Sequence, residues 1–448
     1  MHIKNKYKKL YKTKFKYSNK TKTKINTKTK TNNNNNKKTL KGGRYLGEGS
    51  YGCVITPAIP CKNINSQYNS KTNKNSKTSK YHKTANIDKT VSKILITPDK
   101  DIKKEISLSR KIHNLDPNQN YFITFKDACI LRKIPAGRSD AVSVHHYNDS
   151  RENYRLIDKT MKKSLDKRYC PIDLKLKPLN LIMPYGGYDL IDFLTKKSDN
   201  PQFLLTRKHI PENFKECFKN LLNGLYKLHQ IRIANRDIKE ENITANYNEI
   251  TKRVDMRFID FGLSEHLTAE YCSNYRNIYM KGTPDLMSVE LIICNYVVDY
   301  IDYKDDKQDG NIEYIFQKIK KFINKTNIKD MYFSIGEKNI YYDMYDSLFE
   351  LTKRIYNELQ SKKLLFNYFG SQKDKFNGYL QKGDVYALGL ALYEFITEYI
   401  AEFGSSYNSK FINVNKNIKL HNLLRHMINP NPDKRYNVME CLNHPYFK

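Results

Sequence analysis

Ala234-Asn235-Arg236-Asp237-Ile238-Lys239-Glu240-Glu241-Asn242-Ile243 is the stretch on which the fold of this chain turns. A charged loop of this composition says little alone, so its flanks decide. Upstream, Phe214, Cys217, Phe218, Leu221, Leu222, Leu225 and Leu228 recur at the spacing of one helix face. Downstream, the β-rich run from Val254 to Ile259 delivers Asp260-Phe261-Gly262. The sequence therefore predicts a helix, a loop with a carboxylate and a carboxamide, and a strand ending in a second carboxylate. Asp237 can accept the proton of an incoming hydroxyl, and Asn242 and Asp260 offer hard oxygen ligands suited to Mg²⁺. That layout fits phosphoryl transfer; an unrelated surface loop is the bland alternative.

Length and charge bound the rest. At 448 residues with 39% hydrophobic content, the chain can hold a sizeable core and more than one domain. The richest apolar stretch, Ala387 to Phe403, is interrupted by Glu394 and Glu398, so a buried helix is expected there and not a membrane span. The N-terminus lacks the apolar run of a secretory signal. Eight scattered cysteines without a Cys-x-x-Cys pair suggest free thiols in a reducing compartment. These features point to an intracellular protein, cytoplasmic or nuclear. The formal net charge of +32 is unevenly spread: the first 41 residues hold fifteen lysines, no arginine and no acid. Such a segment buries too little apolar surface to order itself. Residues 1–41 are expected to be a disordered basic tail, either merely solvated or making weak electrostatic contact with an anionic partner or import factor. With no arginine for bidentate base contacts, it sets no sequence specificity.

The loop resembles the catalytic loop of the eukaryotic-type protein kinases, H-R-D-x-K-x-x-N, with Asn235 in place of the His. Other motifs of that family follow in order. Gly47, Gly49 and Gly52 form a G-x-G-x-x-G, a spacing shared with Rossmann nucleotide sites. Here Cys53-Val54-Ile55-Thr56-Pro57 follows, β-branched and ending in proline, so a β-hairpin is expected and not the start of a helix. Lys93, in the strand Thr90 to Ile96, sits at the position of the family's strand lysine, with Ser92 before it. A cation in an apolar strand needs an anionic partner. The resemblance assigns that partner to Glu105, on a helix from Asp101 to Ile112, and assigns Lys93 a grip on the α- and β-phosphates. Tyr121 to Leu131 reads as a further strand, and Leu179 to Met183 leads into Pro184-Tyr185-Gly186-Gly187-Tyr188-Asp189, which resembles the interlobe hinge. By that resemblance the nucleotide contacts are Gly47, Glu48, Gly49, Ser50, Tyr51, Gly52, Val54, Lys93, Met183, Pro184, Gly186 and Asp189. Pro184 and Gly186 would face the adenine through their backbone, and Asp189 would reach the ribose.

Beyond Asp260-Phe261-Gly262, Gly282-Thr283-Pro284-Asp285-Leu286-Met287-Ser288-Val289-Glu290 matches G-T-P-x-x-M-A-P-E except at Ser288-Val289. Glu290 then needs a buried cation, which the resemblance places at Arg435. Asp384 matches the aspartate that braces the catalytic loop and suits a helix N-cap. Arg236 resembles an arginine that receives a phosphate from the activation segment, where Ser264, Thr268, Tyr271, Ser273, Tyr275 and Tyr279 are available, Thr268 or Ser273 first. In the bland alternative, Arg236 packs the loop and the segment orders without modification.

The expected fold is α+β, a two-lobed kinase fold with a small β-rich N-lobe at 42–185 and a larger mainly helical C-lobe at 186–448. Insertions are expected near 61–89, 133–177 and 296–380, the last helical from the apolar series Ile312 to Ile323 and Met344 to Leu359. It is either part of the lobe or a docking surface. The run Gly49 to Val54 with Pro57 and Cys61, then Val91-Ser92-Lys93, is similar to kinases of large DNA viruses, which would allow a virion location. What the resemblance implies is an ATP- and Mg²⁺-dependent transfer to serine or threonine hydroxyls of proteins, with Asp237, Lys239, Lys93 and Glu105 catalytic and Asn242 and Asp260 holding the metal. A kinase-like scaffold and a small-molecule phosphotransferase are the alternatives.

Overall fold

The computed structural model describes residues 44–49, 52–61, 90–95, 100–132, 142–144, 170–172, 174, 177–273, 277, 282–283, 286–302, 312–325, 348–357, 376–403 and 418–448. Ser50, Tyr51, the basic tail, and most of the expected insertions at 61–89 and 133–177 lie outside that set.

The small lobe is a five-stranded antiparallel sheet in the order β1-β2-β3-β7-β4. Its strands are β1 (Arg44–Gly49), β2 (Gly52–Thr56), β3 (Thr90–Leu95), β4 (Asp127–Ile130) and β7 (Leu179–Pro184). Gly49 pairs with Gly52 at the end of the β1–β2 hairpin, and strand β2, not a helix, continues from the glycines. In β3 only Thr90 and Lys93 escape full burial, and Lys93 faces Val54 on one side and Leu181 on the other. Ser92 is fully buried because its Oγ accepts the Ile59 N–H at 2.8 Å, while Asn180 Nδ2 donates to the Ile59 carbonyl at 2.8 Å. A short parallel pair, β5 (Val142–Val144) and β6 (Cys170–Ile172), adjoins this lobe.

Two expectations for this region fail. The strand anticipated over Tyr121 to Leu131 shortens to β4, because the Asp116 carboxylate accepts the N–H groups of Asn120, Tyr121 and Phe122 and holds that part as a turn. The cysteines are not all free thiols. Cys61 and Cys129 form a disulfide, and Cys53 is disulfide-bonded as well. Cys217, Cys272, Cys294 and Cys441 are free and buried.

Helix α1 (Lys100–Leu115) carries Glu105 and buries Ile106, Leu108 and Ile112. After β8 (Tyr188–Asp189) come α2 (Leu190–Thr195) and α3 (Pro201–Gln230), the long helix anticipated upstream of the loop. All seven of its apolar positions named above are buried. Each fully buried Leu or Phe there contributes about 1.5–3 kcal/mol of transfer free energy. Against α3 pack β10 (Ile243–Asn248) and β11 (Arg253–Phe258), an antiparallel pair that presents Asp260 just beyond its end. The two-residue strands β9 (Ile233–Ala234) and β12 (Glu265–His266) pair on the other side of the loop.

The remaining described elements are helices: α4 (Ala269–Ser273), α5 (Val289–Asp302), α6 (Ile312–Lys325), α7 (348–357), α8 (Tyr379–Phe403), α9 (Ile418–Met427) and α10 (Val438–Leu442). Helices α6 and α7 fall within the expected third insertion. Their buried residues Ile315, Phe316, Ile319, Leu348, Leu351 and Ile355 join one apolar cluster with α5 and α8. Arg354 of α7 also bonds the Tyr379 hydroxyl and pairs with Asp433. Asp384 is not a helix N-cap: α8 begins at Tyr379, so Asp384 lies inside the helix with its carboxylate buried. None of the described helices is long and apolar enough to cross a membrane.

Candidate active site

The loop from Ala234 to Ile243 is held from below by one carboxylate. Asp384 Oδ2 accepts the Asn235 N–H at 2.7 Å and Oδ1 accepts the Arg236 N–H at 2.8 Å. His229 Nε2, at the end of α3, lies 3.1 Å from Oδ2. These bonds fix Arg236 at φ +66°, a left-handed conformation that costs a non-glycine residue about 1–3 kcal/mol. The Asn235 carboxamide completes the turn by accepting the Asp237 N–H at 3.1 Å, and the Asn235 carbonyl accepts the Ser264 hydroxyl at 3.1 Å. Asn235 thus supplies local rigidity where the family pattern has histidine. Gly282, at φ +123°, comes so close that an added Cβ would lie 2.9 Å from the Arg236 carbonyl oxygen. A side chain would displace the loop.

Above this floor the Asp237 carboxylate accepts from three side chains. Asn242 Nδ2 reaches Oδ2 at 2.8 Å, the Thr283 hydroxyl reaches Oδ1 at 2.8 Å, and Lys239 Nζ lies 3.1 Å from Oδ2. Lys239 also approaches the Thr283 hydroxyl at 3.4 Å. A carboxylate so held has one orientation to offer, as a proton acceptor must. The sequence marks Thr283 only as a family feature, and its contact with Asp237 is a role that the sequence does not reveal.

The second half of the site crosses between the lobes. Lys93 Nζ bonds Glu105 Oε1 and Asp260 Oδ1, each at 2.8 Å. Burial alone lowers the Lys93 pKa, but the Asp260 and Glu105 carboxylates reverse this and hold the ammonium above its ordinary range. Burial tends to raise the Asp260 carboxyl, and Lys93 outweighs it and keeps the group below its ordinary value. Asp260 sits at φ +60°, with the Gly262 N–H donating to its Oδ1 at 3.1 Å. Both bonds use Oδ1, and the side chain remains 33% exposed, so Oδ2 stays available to a cation. Asn242 spends its Nδ2 on the Asp237 carbonyl and carboxylate and keeps its carboxamide oxygen outside those bonds. Two hard oxygens of this kind fit Mg²⁺, which takes few protein ligands and completes its shell with phosphate and water.

The other expected nucleotide contacts are distributed as follows. Gly47, Glu48, Gly49 and Gly52 lie on the β1–β2 hairpin, and Val54 pairs with Lys93. Met183 and Pro184 end β7 opposite Val91 and Thr90. Gly186 packs under Thr244 and Ile123, where an added Cβ would come within 2.8 Å of Thr244 Oγ1. Asp189 caps α2, its Oδ1 accepting the Asp192 N–H at 2.7 Å. Burial, with Asp192 beside it, pushes its carboxyl up to about 7.

At the base of the large lobe, Arg435 and Glu290 form a bidentate pair at 2.6 and 2.8 Å, both side chains fully buried. The Ser288 hydroxyl donates to Glu290 Oε1 at 2.7 Å, which gives the substituted position a structural use.

Residues 174–306 match the family described as the protein kinase domain. Among curated relatives, the chain is 35% identical over 77 residues to the serine/threonine-protein kinase mig-15 of Caenorhabditis elegans, covering 17% of this chain and 6% of that one. It is 33% identical over 106 residues to the probable serine/threonine-protein kinase fhkB of Dictyostelium discoideum, covering 23% and 9%. It is 31% identical over 110 residues to the CTD kinase subunit alpha of Schizosaccharomyces pombe, covering 25% and 16%. The chain therefore spans less than a fifth of the length of each of these relatives. The matched region, the two-lobed architecture and these likenesses support a eukaryotic-type protein kinase.

Proposed function

We propose that this chain transfers the γ-phosphoryl group of ATP to serine or threonine hydroxyls of protein substrates. One observation carries the proposal: Asp237, oriented by Asn242, Thr283 and Lys239, shares its loop with the hard oxygen of Asn242, while Asp260, the second hard-oxygen residue, is tied through Lys93 to Glu105. In this reading Asp237 orients the substrate hydroxyl and takes its proton as the new O–P bond forms and ADP leaves. Lys239 offsets the charge on the group in transfer. Lys93, fixed by Glu105, binds the α- and β-phosphates. Asn242 and Asp260 hold Mg²⁺, which neutralises phosphate charge when bound. The backbone of the β1–β2 hairpin covers the phosphates, with Ser50 and Tyr51 joining its two strands in sequence. Met183, Pro184 and Gly186 bound the adenine site, and Asp189 lies toward the ribose.

The Ser/Thr preference rests on Lys239 and Thr283 and on the likeness to the two serine/threonine-protein kinases named above. The finer likeness to kinases of large DNA viruses rests on the Gly49–Val54 run and Val91-Ser92-Lys93 alone. The intracellular reading, cytoplasm or nucleus, rests on the use of ATP, and the viral likeness would add the virion. The tail at 1–41 gives at most salt-dependent contact with anionic partners.

The test is transfer of labelled γ-phosphate from ATP to a generic basic protein, with Mg²⁺ or with chelator, followed by phosphoamino-acid analysis. Mg²⁺-dependent phosphoserine or phosphothreonine is expected. Nucleotide binding without turnover would make the chain a scaffold, and transfer to small molecules but not to protein would make it a small-molecule phosphotransferase.

A further inference from the structure

Arg236 immediately precedes Asp237 in the chain, and the residue is buried at 8% exposure. Its Nη1 donates to the Tyr271 hydroxyl at 2.8 Å and to the Asn277 carbonyl at 3.1 Å. The Tyr271 hydroxyl donates in turn to the Asn277 carbonyl at 2.6 Å. Asn277 Nδ2 returns to the Tyr271 carbonyl at 3.1 Å, and Thr268 Oγ1 accepts the Tyr271 N–H at 3.0 Å. Residues 268, 271 and 277 therefore form a closed knot whose phenol faces the guanidinium. Burial raises the Tyr271 phenol above its ordinary range, more than Arg236 lowers it. The group stays a neutral hydroxyl, able to accept from Arg236 while donating to Asn277. Two of the hydroxyls that the sequence offers for phosphorylation are already in use: Thr268 as this acceptor, and Ser264 buried on the Asn235 carbonyl.

We propose that Tyr271 is a positioning residue for the catalytic base: its hydroxyl holds the Arg236 guanidinium, and through Arg236 the left-handed turn that sets Asp237, so that the loop is formed with an unmodified activation segment. The inference rests on the phosphoryl-transfer reading of Asp237. Arg236 is clamped at both ends, its N–H on Asp384 and its side chain on Tyr271, and the strained φ between them is where a loose side chain would let the loop relax.

The test uses the full chain, freed of phosphate by a phosphatase that is then removed, with intact mass confirming the unmodified state. Wild type is expected to transfer phosphate at full rate without a lag. Tyr271→Phe should lower kcat by about 10- to 100-fold, the size of one lost hydrogen bond to a charged group. Its KM for ATP should stay within about twofold, since nucleotide contacts are untouched. In an Arg236→Ala background the same change should cost nothing more, because the hydroxyl acts through that guanidinium. A lag that ends as the segment gains phosphate, a wild-type kcat in Tyr271→Phe, or additive losses in the double variant would overturn the proposal. If Tyr271→Phe does not fold, the lag measurement on wild type decides alone. Absence of any Asp237-dependent transfer in wild type would instead overturn the proposed function and this inference with it.

Discussion

Lys93 in the interlobe cleft and Arg435 at the base of the large lobe are both cations taken out of water, and their partners are arranged in opposite ways. Arg435 meets one carboxylate, Glu290, through two parallel bonds with both side chains at 0% exposure. Its Nε donates to the Asn429 carbonyl at 2.8 Å, and its guanidinium lies 4.9 Å from the Tyr386 ring centre. That pair is closed and neutral. Lys93 is shared between Glu105 and Asp260, with Asp260 still one-third exposed. One ammonium between two carboxylates leaves an excess negative charge facing the cleft. Such an arrangement holds geometry while leaving a hard oxygen for a cation. A closed pair fixes a fold, and an open one prepares a site.

Removing the open partner should have the largest effect. Asp260→Ala is expected to abolish Mg²⁺-dependent ATP binding, measured by titration calorimetry, while Lys93 keeps Glu105 and the fold persists. Retained Mg²⁺-dependent binding would show that the cluster is as closed as the other one. Breaking the closed pair should appear in stability. Arg435→Ala leaves Glu290 buried without its cation and is expected to cost about 3–5 kcal/mol in denaturant unfolding. A loss no larger than that of a surface ion pair would erase the distinction.

The smallest effect concerns a third buried group, a carboxyl surrounded by other acids. Glu240 in the loop is 6% exposed, and burial, then Glu394, Glu241 and Glu398, raise its carboxyl well above the ordinary value of 4.5. Between that value and the raised one, the folded chain holds a proton that the unfolded chain has released. Stability from this group therefore falls as pH rises through the window. Glu240→Gln removes the dependence, so its melting temperature should gain on wild type as pH rises above the ordinary carboxyl value of 4.5. A difference that does not change with pH would mean that Glu240 is ionised at no cost.

The legible parts of the molecule are those where chemistry and local pattern coincide. Asp237, Asn242, Asp260 and Lys93 each stand in a segment whose periodicity or turn residues also announce its structure, and the structure draws them together across the cleft. What escapes the sequence depends on partners far along the chain. The Cys61–Cys129 disulfide spans 68 residues, and no spacing rule reaches that distance. His229 reads as one more residue at a helix end until Asp384, 155 residues later, arrives beside it. Asp384 is half legible: its bracing of the loop follows from the resemblance and is seen, but the N-cap expected of an acid at a helix start is not, because the helix starts earlier, at Tyr379. Tyr271 is one hydroxyl among six candidates in the sequence, and only its bond to Arg236 separates it from the rest.

The most direct test of the account is phosphoryl transfer by Asp237→Asn beside wild type, with nucleotide affinity and melting temperature measured on the same preparations. The substituted carboxamide would keep the shape of the loop but could not take a proton. Transfer should therefore fall by about 10²- to 10⁴-fold while Mg²⁺-dependent ATP binding and the melting temperature remain near wild type. Near-full transfer by a purified, folded Asp237→Asn would contradict the assignment of the base and the reading of the loop built on it.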